Sequence, residues 1–414
     1  MRRGRQRDTE AGRLHDVEAN RLRAMSASGL CRSGTAVRGG SPRQTNDRRP
    51  AGNAPRLASG PRTICVALLV CCAGLSATVA AGQRDAPLLA APGVSATTET
   101  TQRAASDSSY VWHLPPGFPT PAVPADNSMS ADKVALGQRL FSEPRLSITG
   151  KHSCASCHEP DRAYSDGRAR AIGATGLPLS HSAMSLVNVA YNISYGWTKP
   201  ELQSLESQML EPLLNEHPVE LGLAGRQSSV SELLAADPAY RTAFARAFPQ
   251  DAAPVNFGNL IKAIAAFERT LIFGNSPFDR YVFSGEHAAL SAQAKRGMQL
   301  FYSPKAACGS CHSGFNFNGN WRDSQGDTGK PGFANNGLGD ELMRVPTLRN
   351  IALTAPYMHD GRFETLDAVL DHYARVAQLP TSDARLRSFN LNVGERADLI
   401  AFLETLTDAQ FASR

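Results

Sequence analysis

"HSCASCH", His152 to His158, sets two cysteines at C-x-x-C spacing and a histidine directly after the second. "CGSCH", Cys308 to His312, repeats the arrangement further along. The spacing has a chemical reason. Two thiols so placed can add to the two vinyl groups on one edge of a porphyrin, and the adjacent imidazole then reaches the iron as proximal ligand. Cys154, Cys157 and His158 are therefore expected to hold one covalent haem c, and Cys308, Cys311 and His312 a second. Zinc could use two such pairs, but it has no need of the histidine after each. A redox dithiol would want a βαβ setting, and neither pair has one. His152 reads as a solvated loop residue.

Each motif has a similar preamble. "KVALGQRLFSEPRLSITGKHSCASCH" contains Gly137, Leu140 and Phe141, and "AKRGMQLFYSPKAACGSCH" contains Gly297, Leu300 and Phe301. Both read as a short amphipathic helix ahead of a haem loop, so the chain reads as an internal duplication. "NLIKAIAAFERTLIF" puts Leu260, Ile261, Ile264, Phe267 and Leu271 on one face. "SVSELLAADPAYRTAFARAF" predicts helix, Pro-bounded turn, helix, and "NVGERADLIAFLETL" a helix carrying Leu399, Phe402 and Leu403. No alternating strand pattern persists. The expected fold is all-α: two tandem cytochrome c-like haem domains, 110–285 and 286–414, packed around an inter-haem interface.

The ends of the chain differ in character. Of the 414 residues, the first 84 hold 15 Arg against 5 acidic residues, so the rest carries a net −5 of the overall +5. The basic balance belongs to the leader, which gives no support to a nucleic-acid partner. Residues 1–82 read as a leader with a disordered start. Arg62 and the apolar run Ile64 to Ala81, ending in small residues, suit a signal peptide, with an uncleaved membrane anchor as the other reading. Residues 83–109 read as a linker. Either way the remainder is exported, and a periplasmic location is expected. Four of the eight cysteines lie in the leader; the other four are the two haem pairs, which leaves none for a disulfide.

The tandem motifs, with "LVNVAYNISYGW", "NEHPVELGL", "AFERTLI" and "RVPTLRNIALTAPYMHDGRFETLDAVLDHY", resemble the bacterial dihaem cytochrome c peroxidase/MauG superfamily from about Pro116 to Leu406. The details look closest to its MauG-like branch, including the MbnH-like enzymes that oxidise a tryptophan of a partner protein. The resemblance implies specific residues. Where the peroxidases have a distal histidine, this chain has Ala174 after Ile172 and Gly173; alanine cannot bind iron, so the first haem is expected to be five-coordinate. His181 is the competing ligand. On the second haem the resemblance points to Tyr373 as sixth ligand, as in MauG-like enzymes, with Met358, His372 and His359 as alternatives; His359 is otherwise expected to hydrogen-bond a propionate. A phenolate is a hard anion that stabilises oxidised iron.

For O–O cleavage the resemblance supplies Gln208, Pro212 and Glu220, with Glu216 and Glu211 as alternates for the carboxylate. Trp197 matches the tryptophan that lies between the haems. A calcium ion is implied at Ser182, where the family has asparagine, with the carbonyls of Thr354 and Pro356. The function expected is a periplasmic enzyme that reacts with hydrogen peroxide and uses oxidised haem to oxidise a Trp or Tyr of a partner protein. One alternative is a dihaem peroxidase fed by a small cytochrome. A second is an electron-transfer cytochrome, which would need two strong sixth ligands. Membrane contact is expected only if the leader stays uncleaved.

Overall fold

The computed structural model describes residues 110–412, apart from 320–321, 328–331, 339–340, 380–382 and 387. The expected leader, signal segment and linker (1–109) lie outside the described residues. Helix α1 (Ala131–Phe141) starts at Ser130, whose side chain accepts the Lys133 N–H. Two short helices, α2 (Leu205–Gln208) and α3 (Leu210–Leu214), follow an irregular stretch. Asp237 divides α4 (Gln227–Ala236) from α5 (Pro238–Ala247), capping the latter with Pro238 at its first position. Asn256, Ser276 and Ser291 cap α6 (Phe257–Glu268), α7 (Pro277–Phe283) and α8 (Ala292–Tyr302). The chain ends with α9 (Leu366–Val376), α10 (Val393–Glu404) and α11 (Ala409–Ala412).

The described framework is mostly helical, as expected. Two small ribbons depart from it. Strands β1 (Arg322–Asp323) and β2 (Gly326–Asp327) pair antiparallel, as do β3 (Phe333–Ala334) and β4 (Met343–Arg344). Two residues per strand are too few to show a period of two, so no sequence pattern announces them. The helix expected to run through Leu271 stops at Glu268; Leu271 is still buried, in a turn bonded back to the Glu268 carbonyl.

The repeated Gly-x-x-Leu-Phe motif is explained by helix packing. A Cβ at Gly137 would fall 1.9 Å from the Ala263 carbonyl oxygen of α6. A Cβ at Gly297 would fall 1.8 Å from the Asp398 carbonyl oxygen of α10. Each glycine thus lets α1 reach α6, and α8 reach α10, backbone against backbone. The phenylalanine four residues on closes the contact. Phe141 meets Phe267 with ring centroids 5.2 Å apart, and Phe301 meets Phe402 at 5.3 Å. Each helix pair anchors its own apolar cluster: Leu136, Leu140, Leu260 and Ile264 in the first, Met298, Phe317, Leu399 and Phe402 in the second.

The loops repeat as well. Asn188 and Asn350 both adopt left-handed backbone, at φ 55° and 60°, which asparagine tolerates. Each opens a single 3₁₀ turn and donates its N–H to a leucine carbonyl just past the long helix: Leu271 at 2.8 Å and Leu406 at 3.0 Å. The duplication is therefore visible in the backbone as well as in the two haem motifs.

Gly297→Ala and Gly137→Ala are expected to lower stability by about 1–3 kcal/mol or more, because the new methyl meets fixed backbone. Urea titration of each variant beside the wild-type holoprotein reads the loss. Equal midpoints would show that the helices can separate without cost.

Candidate functional site

Each haem motif forms a one-turn 3₁₀ helix, Cys154–Ser156 and Cys308–Ser310. The chain then bends so that the histidine meets a carbonyl of its own loop. His158 Nδ1 donates to the Tyr164 carbonyl at 2.9 Å, and His312 Nδ1 to the Phe317 carbonyl at 2.9 Å. Tyr164 and Phe317 both hold positive φ, 58° and 52°. That conformation costs a non-glycine residue roughly 1 kcal/mol or more, and here it turns the carbonyl toward the ring. Nδ1 is thereby fixed as the protonated nitrogen, and Nε2 is left for a metal. Burial pushes both imidazoles below their ordinary value, which keeps them neutral.

The four cysteines are free. Burial pushes Cys157 up to about 11 and Cys308 up to about 12, so neither pair is an activated redox dithiol. The pairs border two clefts, one around Cys154 and one around Cys308. Among the described residues no three His, Cys, Asp or Glu cluster as a metal-ion site, so the two pairs do not converge on zinc. Thiol pair, oriented imidazole and cleft fit a covalent haem in both places.

The first cleft gathers most of the residues expected there. Gln208 ends α2, Pro212 sits in α3, and both border it together with Ala174, His181 and Glu220. The Ala174 N–H donates to the Glu220 carbonyl at 2.6 Å. Gly173 allows this approach, since a Cβ there would lie 2.1 Å from the Val219 carbonyl oxygen. Ala174, where an imidazole is the alternative, thus pairs through its main chain with Glu220. Burial pushes the Glu220 carboxyl up to about 7, with neighbouring Glu211 adding to the rise and Lys199 opposing it. Lys199 and Glu211 form an ion pair at the same cleft. Glu216, the other alternate, is exposed and does not line it.

Helix α9 shapes the second cleft. Thr365 caps it, and Leu366, Val369, Leu370 and Tyr373 line the cleft at helical spacing. Burial pushes the Tyr373 phenol up, and the Cys311 and Cys308 thiols add to the rise. His372 is buried and tied to the Asn336 carbonyl, Nε2 to oxygen 2.7 Å, so its ring is committed elsewhere. Met358 and His359 also border this cleft.

Trp197 borders both clefts. Its Nε1 donates to the Ser182 carbonyl at 3.1 Å. Ser182 in turn donates its N–H to the His359 carbonyl at 2.8 Å and its hydroxyl to the Met358 carbonyl at 3.1 Å. The His359 ring packs against Trp197 and against His181, with centroids 6.3 Å and 5.6 Å apart. The Ser182 hydroxyl is therefore spent on a protein carbonyl, and the Thr354 hydroxyl on that of Ile351 at 3.3 Å. Ser182, Thr354 and Pro356 all border the second cleft, and none of them brings a negative charge.

Two residues of the site escape the sequence reading. Glu268 is buried at the first cleft, with Oε2 unpartnered and its carboxyl pushed by burial up to about 8. Its signal was present: a carboxylate four residues after Ile264 on the apolar stripe of α6. Arg344 is buried and borders both clefts. Its sequence signs are its place at the head of the RVPTLRN stretch and a charge between Met343 and Val345.

Comparison with known proteins agrees with the geometry. Residues 131–288 match the family model for di-haem cytochrome c peroxidase. The methylamine utilization protein MauG of Methylorubrum extorquens is 34% identical over 359 residues, 84% of this chain and 94% of that protein. Cytochrome c peroxidase Ccp of Escherichia coli is 33% identical over 304 residues, 70% of this chain and 61% of that one. The crystal structure of a MauG-like protein associated with microbial copper homeostasis superposes with a TM-score of 0.69 at 35% identity, covering 73% of this chain and 97% of that one.

The raised Glu220 carboxyl makes stability depend on pH. The folded chain holds this proton up to pH about 7, whereas an unfolded glutamate releases it near 4.5. Between those values the folded state binds more protons, so stability falls as pH rises. Glu220→Gln is expected to be on the order of 1–3 kcal/mol more stable than wild type at pH 8 and equal to it at pH 4. Denaturant midpoints at the two pH values measure this, and a uniform difference would remove the titration as its cause.

Proposed function

The chain belongs to the di-haem cytochrome c peroxidase family and is an oxidoreductase of the haem-peroxidase type; we propose that it is MauG-like, using hydrogen peroxide to oxidise a Trp or Tyr side chain of a partner protein. The bond from Ala174 to Glu220 carries this reading. Through this main-chain bond Ala174 and Glu220 are neighbours on the wall of the first cleft, and Ala174 carries no imidazole. His181, the competing ligand, packs against His359 at the junction of the clefts.

When bound, the two haems supply the redox-active iron that takes up the oxidising equivalents of peroxide. The protein's own part is proton handling and placement. Glu220, balanced near neutrality, accepts the proton of the bound peroxide oxygen and returns it to the leaving oxygen. The Gln208 amide orients the peroxide, and Pro212 shapes the wall behind it. Trp197, touching both clefts, shortens the electron path between them. Tyr373 would supply an oxygen ligand to a haem in the second cleft, and its anionic form would favour the oxidised state. His359 supports Trp197 by ring contact. The two haem units span about 110–285 and 286–414, and the location is periplasmic.

The second reading, a peroxidase fed by a small cytochrome, draws on the likeness to the Escherichia coli enzyme. Adding one equivalent of peroxide to the fully oxidised holoprotein separates the two. The proposal expects prompt consumption and a long-lived absorption change with no prior reduction. A protein that is inert until half reduced would overturn it. Glu220→Gln is expected to slow the peroxide reaction about 10²–10⁴-fold. In the wild type the rate should rise with pH through about 7, as the Glu220 base forms.

A further inference from the structure

Arg344 is a buried charge that has no counter-ion among the described residues. It ends β4, is 8% exposed, and borders both clefts. Its backbone N–H donates to the Trp197 carbonyl at 2.8 Å, and Nε to the Gly196 carbonyl at 3.2 Å. One terminal nitrogen lies 2.8 Å from Met184 Sδ. All three acceptors are neutral. Among the described residues no carboxylate pairs with it. The other buried arginines differ. Arg349 grips Asp279 with two nitrogens, at 2.8 and 2.9 Å, and Arg269 pairs with Glu206 at 2.7 Å.

An unpaired guanidinium in a low-dielectric wall is destabilising. It cannot escape by losing its proton: burial pushes Arg344 down only to about 10, so it is charged at neutral pH. A counter-charge can come with what fills the clefts. A porphyrin of haem type brings it, because its two propionate side chains are carboxylates. A guanidinium suits them through its planar fork of donors.

We propose that Arg344 is a haem-carboxylate site, pairing with propionates of the groups in the two clefts while its other bonds hold Gly196 and Trp197 between them. The proposal rests on haem occupying both clefts. One cation at the shared wall then does two jobs. It neutralises negative charge next to Trp197, and it fixes the indole's main chain to the same point that grips the haem.

The test uses the holoprotein with R344Q and R344K. Haem content is measured first by haemochrome absorbance; a wild type without two haems would sink the family reading, independently of Arg344. Reduction potentials are then followed by spectroelectrochemical titration from pH 5 to 9. A nearby positive charge disfavours ferric iron, so R344Q is expected to shift at least one haem to lower potential. It should also make that potential more pH-dependent, because the freed propionate now takes up a proton within the range. R344K, which keeps the charge, should stay near wild type in both respects. A purely structural Arg344 predicts otherwise: lysine cannot reproduce the Gly196 bond, so both variants would alter Trp197 fluorescence alike, with the pH dependence unchanged. That result, or unchanged potentials in R344Q, overturns the proposal. If R344Q yields no holoprotein, R344M and R344K give the same comparison of charge lost with charge kept.

Discussion

A hydrogen bond from imidazole Nδ1 to a main-chain carbonyl, made twice, is the constraint on which the rest depends. It chooses the tautomer, aims Nε2, and sets the angle at which each haem loop leaves its one-turn helix. The carbonyls are available only because Tyr164 and Phe317 hold left-handed backbone. That strain is tolerable because the helices beneath are fixed. Gly137 and Gly297 let them touch backbone to backbone, and Phe141 and Phe301 fill the seam. A small motif thus ties loop geometry to helix packing, and the duplication makes two equivalent cradles.

The cradles differ in what faces them. The first is walled by acids and by Ala174, the second by the apolar stripe of α9 ending in Tyr373. Between them runs a wall of main-chain bonds. Ser182 holds the loop of Met358 and His359 on one side and Trp197 on the other, and Arg344 fastens Trp197 from behind. Trp197 is therefore held both at its indole nitrogen and at its main-chain carbonyl.

Buried ionisable groups at the clefts that lack an ion-pair partner among the described residues are handled in two ways. Glu220 and Glu268 meet low dielectric by keeping a proton. Arg344 has no such option and waits for an anion. Acids that hold protons near neutrality suit a site that must move them, and a fixed cation suits a site that must bind a carboxylate.

Much of this was legible in the residues alone. Covalent chemistry has fixed spacing, so Cys154, Cys157 and His158, with their counterparts at Cys308, Cys311 and His312, were readable without a structure. Helical periodicity revealed the framework, and the paired glycines revealed the duplication. Gln208, Pro212, Glu220 and Trp197 came through family likeness, and the fold gathers them at one cleft wall. Other features were decided only in three dimensions. That Ala174 touches Glu220, that the Ser182 hydroxyl goes to a carbonyl, and that Arg344 lies buried between two clefts are contacts between segments far apart in the chain. Local sequence carries the propensities of its own backbone. Burial, and with it the electrostatics of a charged group, depends on which distant segments fold against it.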